Sequence, residues 1–366
     1  MKKLSILCAA AAAILGLASC NQMEGPAASE AVAGLNVRIV APGAAQTKAV
    51  TDVVGNEAKL NNVTVFLFDG NGNLMADGKK AATVSGEGAS CTFDRVRVGT
   101  YQLAAVANFG AATNDPFANV TTLRALNAIA TDLGDNNPNS GFVMAGSGSV
   151  AVNPTSGNDT PNTAELKISR LVSRIRLVSV ENKLPAAYTD FQVDQVFVIN
   201  GNNAWNLGGE GNPTGYFNWA GRTQGNNNKA GNWDDATNYI VKTQSDMQYA
   251  ALAYNAPVKA VAAGATEQFN LPFYTLQNTG TEDHFNGPTD GAVKTRLVLR
   301  ASYGGSVYFY PVTIDKVERN KSYDVLYTIS GPGTKDPNEE VTKGNLTVNV
   351  IVDPWGDGGE PIVGEF

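Results

Sequence analysis

The chain carries one histidine, His284, in the polar stretch TEDHFNGPTD, and three cysteines, Cys8, Cys20 and Cys91. A lone imidazole without cysteine at ligand spacing does not make a His-based zinc site, and no GxSxG turn supplies the serine of a Ser-His-Asp triad. No Walker-A or GxGxxG loop opens a helix after a strand, and Gly146-Ser147-Gly148 is too short to count as a motif. The carboxylate pairs Glu282/Asp283 and Glu339/Glu340 lie in polar, turn-like runs, where solvated charge accounts for them. Asp69-x-Asn71-x-Asn73 has the opening rhythm of a calcium loop, but Leu74 stands where an EF-hand needs glycine and Lys80 where it needs a bidentate glutamate. Asn-Gly turn chemistry in a hairpin explains these residues better. No catalytic residue, metal or cofactor is expected, and the chain does not read as an enzyme.

The chemistry that the sequence does offer is covalent processing. Met1, Lys2 and Lys3 form a positive n-region, residues 4–15 an apolar run too short to span a membrane, and Leu17-Ala18-Ser19-Cys20 follows at once. This is a lipobox: small residues fit a signal peptidase cleft and the Cys20 thiol accepts a diacylglycerol. Cys8 leaves with the signal, so Cys91 is the one thiol left and no intrachain disulfide forms. Beside Phe93 in a strand-like stretch, Cys91 reads as a small buried thiol. Lys48 sits in GAAQTKAV, a segment without periodicity that a Lys- or Arg-specific protease cuts easily, although on spacing alone an ordinary solvated lysine is the better reading. Residues 200–239 are rich in Asn and Gly and carry Trp205, Trp219 and Trp233, which suit either a sugar-stacking platform or aromatic pins on a long loop.

The elements around these residues are mostly strands. At 366 residues the length favours two domains, and 43% hydrophobic residues with 17% charged and 38 glycines fits strands and turns. A net charge of −7 without a basic patch argues against nucleic acid. Residues 20–34 read as a flexible tether. Leu35, Val37 and Ile39 alternate in LNVRIVAP as a first strand, and LNNVTVFLF, YQLAAVAN, RLVSRIRLVSV and residues 191–199 continue the pattern. The arginines of RLVSRIRLVSV are expected on a solvated or domain-facing side. Val120, Leu123, Leu126, Ala130 and Leu133 recur at helical spacing, which predicts one amphipathic helix over 116–133. Toward the end, Val325, Tyr327 and Ile329 alternate, then Leu346, Val348, Val350 and Val352. Beyond Trp355 the chain passes through GDGGE to a last apolar group, Ile362, Val363 and Phe366.

KVERNKSYDVLYTISGPGTKDPNEEVT followed by NLTVNVIVDPW resembles the C-terminal signature of the fimbrillins, the subunit family of the type V pili of Bacteroidetes, and most of all its major stalk subunits. VTVFLFDGNGNL, YQLAAVANFG, ATDLG, ELKISRLVSRIRL and the lipobox with LNVRIVAPGAAQTKAV are further echoes. The resemblance implies an all-β fold with one short helix, in two tandem transthyretin-like β-sandwich domains. It divides the chain into a signal (1–19), tether (20–34), first strand and cleavage loop (35–48), N-terminal domain (49–168), C-terminal domain (169–345) and donor segment (346–366). It further implies a precursor lipidated at Cys20 in the outer membrane and cut between Lys48 and Ala49 by a trypsin-like protease. The family is commonly cut after Arg; Arg38 is the alternative, but a cut there splits the strand. Loss of Leu35, Val37 and Ile39 then opens a groove for a neighbour's Leu346, Val348, Val350 and Val352, or its Ile362, Val363 and Phe366. The expected partners are copies of the same chain and anchor and tip subunits, with a surface receptor left open. A tip adhesin or a monomeric glycan-binding surface lipoprotein is the alternative.

Overall fold

The computed structural model describes residues 31–42, 57–86, 88–110, 115–136, 141–154, 161–202, 204–209, 259–281, 294–337, 339–355 and, for the backbone alone, 362–365. The first half holds β1 (Val32–Val40), β2 (Val63–Phe68), β3 (Leu74–Ala81), β4 (Thr83–Ser85), β5 (Gly88–Arg97), β6 (Gly99–Ala107), α1 (Leu123–Asn127), β7 (Ala130–Asp132), β8 (Met144–Val152), β9 (Asn162–Lys167) and β10 (Ser169–Arg170). These strands make two facing sheets, ordered β4-β5-β1-β9 and β10-β8-β6-β2-β3. Between them lies a core of Leu35, Val37, Ile39, Val65, Leu67, Phe93, Leu103, Ala105 and Leu166.

The second half holds β11 (Val172–Asn182), β12 (Gln192–Ile199), β13 (Ala204–Asn206), β14 (Lys259–Ala260), β15 (Thr266–Leu276), β16 (Thr295–Tyr303), β17 (Ser306–Ile314), β18 (Lys321–Ile329), β19 (Leu346–Pro354) and β20 (Ile362–Glu365). Its sheets run β15-β11-β18-β19-β20 and β14-β12-β16-β17. The fold is therefore all-β with one short helix, a pair of β-sandwiches in tandem.

The two halves share buried surface. VTVFLF is apolar almost throughout because its sheet is covered on both faces: Val63, Val65 and Leu67 enter the first core, while Phe66 and Phe68 join a cluster continuous with the second sandwich. The expected 116–133 helix is the main correction. Only Leu123–Asn127 is α-helical, capped by Thr122, whose hydroxyl accepts from the Ala125 amide at 3.1 Å, and Leu133 opens a single 3-10 turn. Val120, Leu126 and Leu133 are buried as the periodicity required, yet Ala130–Asp132 is a strand paired with Ala204–Asn206 of the second half. Pairing across the halves overrides the helical spacing.

The GSG triplet and the Asp-Asn turn are structural. A Cβ on Gly146 would stand 2.2 Å from the Lys167 carbonyl, where the chain crosses from β9 to β10. Asp69 accepts from the backbone amides of Asn71 and Asn73 at 2.9 and 2.8 Å, which holds its carboxyl below the usual range and closes the β2–β3 hairpin.

Candidate functional site

β1 is a central strand, not an edge. It lies antiparallel to β5 and parallel to β9, with Leu35, Val37 and Ile39 opposite Phe93, Cys91 and Ala89 on one side and Asn162, Ala164 and Leu166 on the other. Those three side chains are at most 1% exposed. The outer face is lightly held: Thr92 donates to Asn36 at 2.7 Å, and Arg38 meets Glu165 at 3.6 Å with both side chains at least half exposed, a pair of little worth in water. β1 therefore fills a slot between two strands, and in sequence residues 43–56 link it to β2 and the rest of its domain. Cys91 is half-buried against this core, and burial pushes its thiol up to about 11.

At the other terminus, β19 is a core strand of its own sandwich. It pairs with β18 at nine positions, from Ile329↔Leu346 to Lys321↔Pro354, with Val348 and Val350 buried and Leu346 and Val352 half-buried. β20, which contains Ile362 and Val363, pairs with β19 at four positions and is the outermost strand of its sheet among the described residues. Cys20, Lys48, Ala49 and Phe366 lie outside the described residues, as do Trp219, Trp233 and His284. Trp205 is 4% exposed on β13, which makes it a pin between the halves and no sugar platform.

Sequence reasoning missed the joint between these regions. Glu57, 2% exposed, receives Arg174 Nη1 at 3.2 Å, the Tyr274 hydroxyl at 2.8 Å and Trp355 Nε1 at 3.2 Å. The Arg170 guanidinium lies 4.3 Å over the Trp355 ring, and that of Arg174 lies 5.2 Å from it. Arg170 also donates to the carbonyls of Glu57 (2.9 Å), Trp355 (3.0 Å) and Pro42 (3.4 Å) and to the Asn320 side chain (3.2 Å). Phe142 and Tyr274 pack on the indole with centroids 5.7 and 5.8 Å away. Burial, followed by the Glu57 charge, pushes the Tyr274 hydroxyl far above its ordinary pKa, so it remains a donor. Of the two sides expected for the RLVSRIRL arginines, the solvated one is ruled out: Arg170, Arg174 and Arg176 are at most 7% exposed, and Arg176 pairs with Asp324. The legible signal was an arginine pair four residues apart in an otherwise apolar strand; Glu57, with no motif around it, gave none.

The model of the major fimbrial subunit protein (FimA) family matches residues 33–235, more than half of the chain. The chain belongs to the FimA family. The match begins within β1 and takes in the sheet buried on both faces, but it ends before the C-terminal stretch in which the sequence resemblance was sharpest. The major fimbrium subunit FimA type-2 of Porphyromonas gingivalis is 23% identical over 359 residues, covering 82% of this chain and 84% of that one. Solved structures share the fold, two of them as follows. A protein from Bacteroides eggerthii assigned to cell adhesion has a TM-score of 0.59 at 21% identity, covering 90% of this chain and 98% of that one. A fimbrilin from P. gingivalis has a TM-score of 0.57 at 16% identity, covering 90% and 99%. This fimbrial chain is a structural subunit of cell-surface fimbriae and belongs to no enzyme family.

Proposed function

We propose that this fimbrial subunit builds the pilus stalk by strand exchange: cleavage after β1 frees that strand, and the C-terminal segment of the next copy takes its place. The observation that carries this reading is the position of β1, a strand whose apolar face is wholly buried and whose covalent link to the rest of its domain is the stretch of sequence that holds Lys48. Cut between Lys48 and Ala49, it is held by non-covalent contacts alone. Leu35, Val37 and Ile39 contribute roughly 5–9 kcal/mol at about 1.5–3 kcal/mol each, so the empty slot, with its two unpaired edges, strongly favours an incoming strand.

The precursor is anchored in the outer membrane by lipid on Cys20, and a protease of Lys or Arg specificity removes the lipid and β1 together. Copies of the same chain are the main partners, with anchor and tip subunits at the two ends. Fimbriae built in this way support adhesion.

The test uses precursor expressed from residue 21, treated with trypsin and followed by SDS-resistant ladders and electron microscopy. Ladders that require both cleavage after Lys48 and a C-terminal segment within residues 346–366 are expected. Cleaved protein that remains monomeric, or uncleaved precursor that forms the same ladders, overturns the reading.

A further inference from the structure

The strand-exchange reading leaves open where the donated segment parts from its own subunit. We propose that the Glu57–Arg170–Arg174–Trp355 joint is the pivot: the chain separates after Trp355, β19 stays in its own core, and the exchanged segment starts at residue 356, not 346. This inference rests on that reading and refines it.

Trp355 is held from every side. Its amide donates to the Asn320 carbonyl at 2.9 Å, its carbonyl accepts from Arg170 at 3.0 Å, its indole N–H donates to Glu57 at 3.2 Å, and its ring lies against two guanidinium groups. Withdrawing it would strip partners from one carboxylate and two cations that are all at most 7% exposed, a heavy penalty for buried charge. The register repeats the contrast. β19 has nine pairs with β18 and two buried valines to lose, whereas β20 has four pairs on one side only. Moving β20 into a slot flanked by β5 and β9 gives it two neighbours in place of one.

The joint also outlasts the removal of β1. The β1 side reaches it through the Pro42 carbonyl, at 3.4 Å the longest of the Arg170 bonds described above, while Glu57, Asn320 and Trp355 all lie beyond the expected cut and stay engaged. Arg170 keeps its bonds to the Glu57 and Trp355 carbonyls and to the Asn320 side chain once Pro42 has left with β1, so the base of the donor segment stays fixed while the segment beyond it reaches a neighbouring copy. The eleven residues after Trp355 reach at most about 36–40 Å when extended, enough to span a nine-residue strand.

Two disulfide staples separate the alternatives, each in precursor from residue 21 carrying Cys91→Ser. Leu326→Cys with Asn349→Cys ties β18 to β19, and Ile351→Cys with Val363→Cys ties β19 to β20, both at directly opposed positions where antiparallel spacing suits a disulfide. After trypsin, the oxidised β18–β19 staple should form ladders within about twofold of the unstapled rate. The oxidised β19–β20 staple should lose them at least tenfold and regain them on reduction. A β18–β19 staple that blocks ladders until reduced overturns the pivot, because β19 must then leave. Ladders from both oxidised staples overturn it too, since the segment beyond Trp355 is then not released from β19. Unstapled, cleaved protein that forms no ladder overturns strand exchange itself and removes the pivot with it.

Discussion

The indole nitrogen of Trp355 donates to the carboxylate of Glu57 at 3.2 Å, across 298 positions of sequence. This bond joins the segment just beyond the expected cleavage loop to the last core strand of the other half. The arginines that flank it open the second half, so one polar cluster ties together three regions that assembly would treat differently.

Removing its negative charge should be costly. Glu57→Gln leaves the Arg174 guanidinium buried without the Glu57 carboxylate, and a loss of about 3–5 kcal/mol is expected. Combining it with Arg174→Met should recover part of that loss, because the uncompensated cation goes too. Urea unfolding of the four proteins of this double-mutant cycle measures the coupling, and simple additivity would show that the pair is not coupled.

The first strand should matter for the precursor and not for the polymer. Ile39→Ala creates a cavity in the first core and should lower precursor stability by about 2–5 kcal/mol. After cleavage and assembly the variant should match the wild type in melting and in ladder stability, because the strand is gone. A polymer that remains destabilised would mean that β1 is retained.

Cys91 reports on the same slot. Burial raises its thiol from 9.0 to about 11, so the folded chain holds the proton longer than the unfolded one. Its contribution to stability is whole below pH 9 and disappears as pH rises through about 11, and Cys91→Ser should flatten that part of the profile. Val37 stands directly opposite Cys91, so cleaved subunits that have lost β1 should react with a thiol reagent at pH 8 faster than the precursor does. Equal rates would place the thiol's protection elsewhere.

Trp205→Ala should act on folding. The indole is buried where β13 meets β7, and its loss is expected to cost about 3–5 kcal/mol and to loosen the contact between the halves. Glycan-array binding that disappears in Trp219→Ala, with stability unchanged, would instead support a binding role for residues 200–239.

Much of the architecture was legible in period-two alternation, because a strand with one buried face must alternate. LNVRIV, SYDVLYTI and LTVNVIV read correctly for that reason. The 116–133 stretch did not, since its apolar spacing serves equally a short helix, a turn and a strand whose partner lies some seventy residues later. The sequence by itself determined that the chain is all-β, that it lacks the residues for the common catalytic and metal sites, and which family it resembles. All of these rest on local pattern and residue type. Only the tertiary structure decided that β1 lies between two strands instead of at an edge, that β19 is core while β20 is not, and that Glu57, Arg170, Arg174 and Trp355 meet. Those facts depend on which distant strands pair and which charges are buried together, and no local window of sequence encodes them.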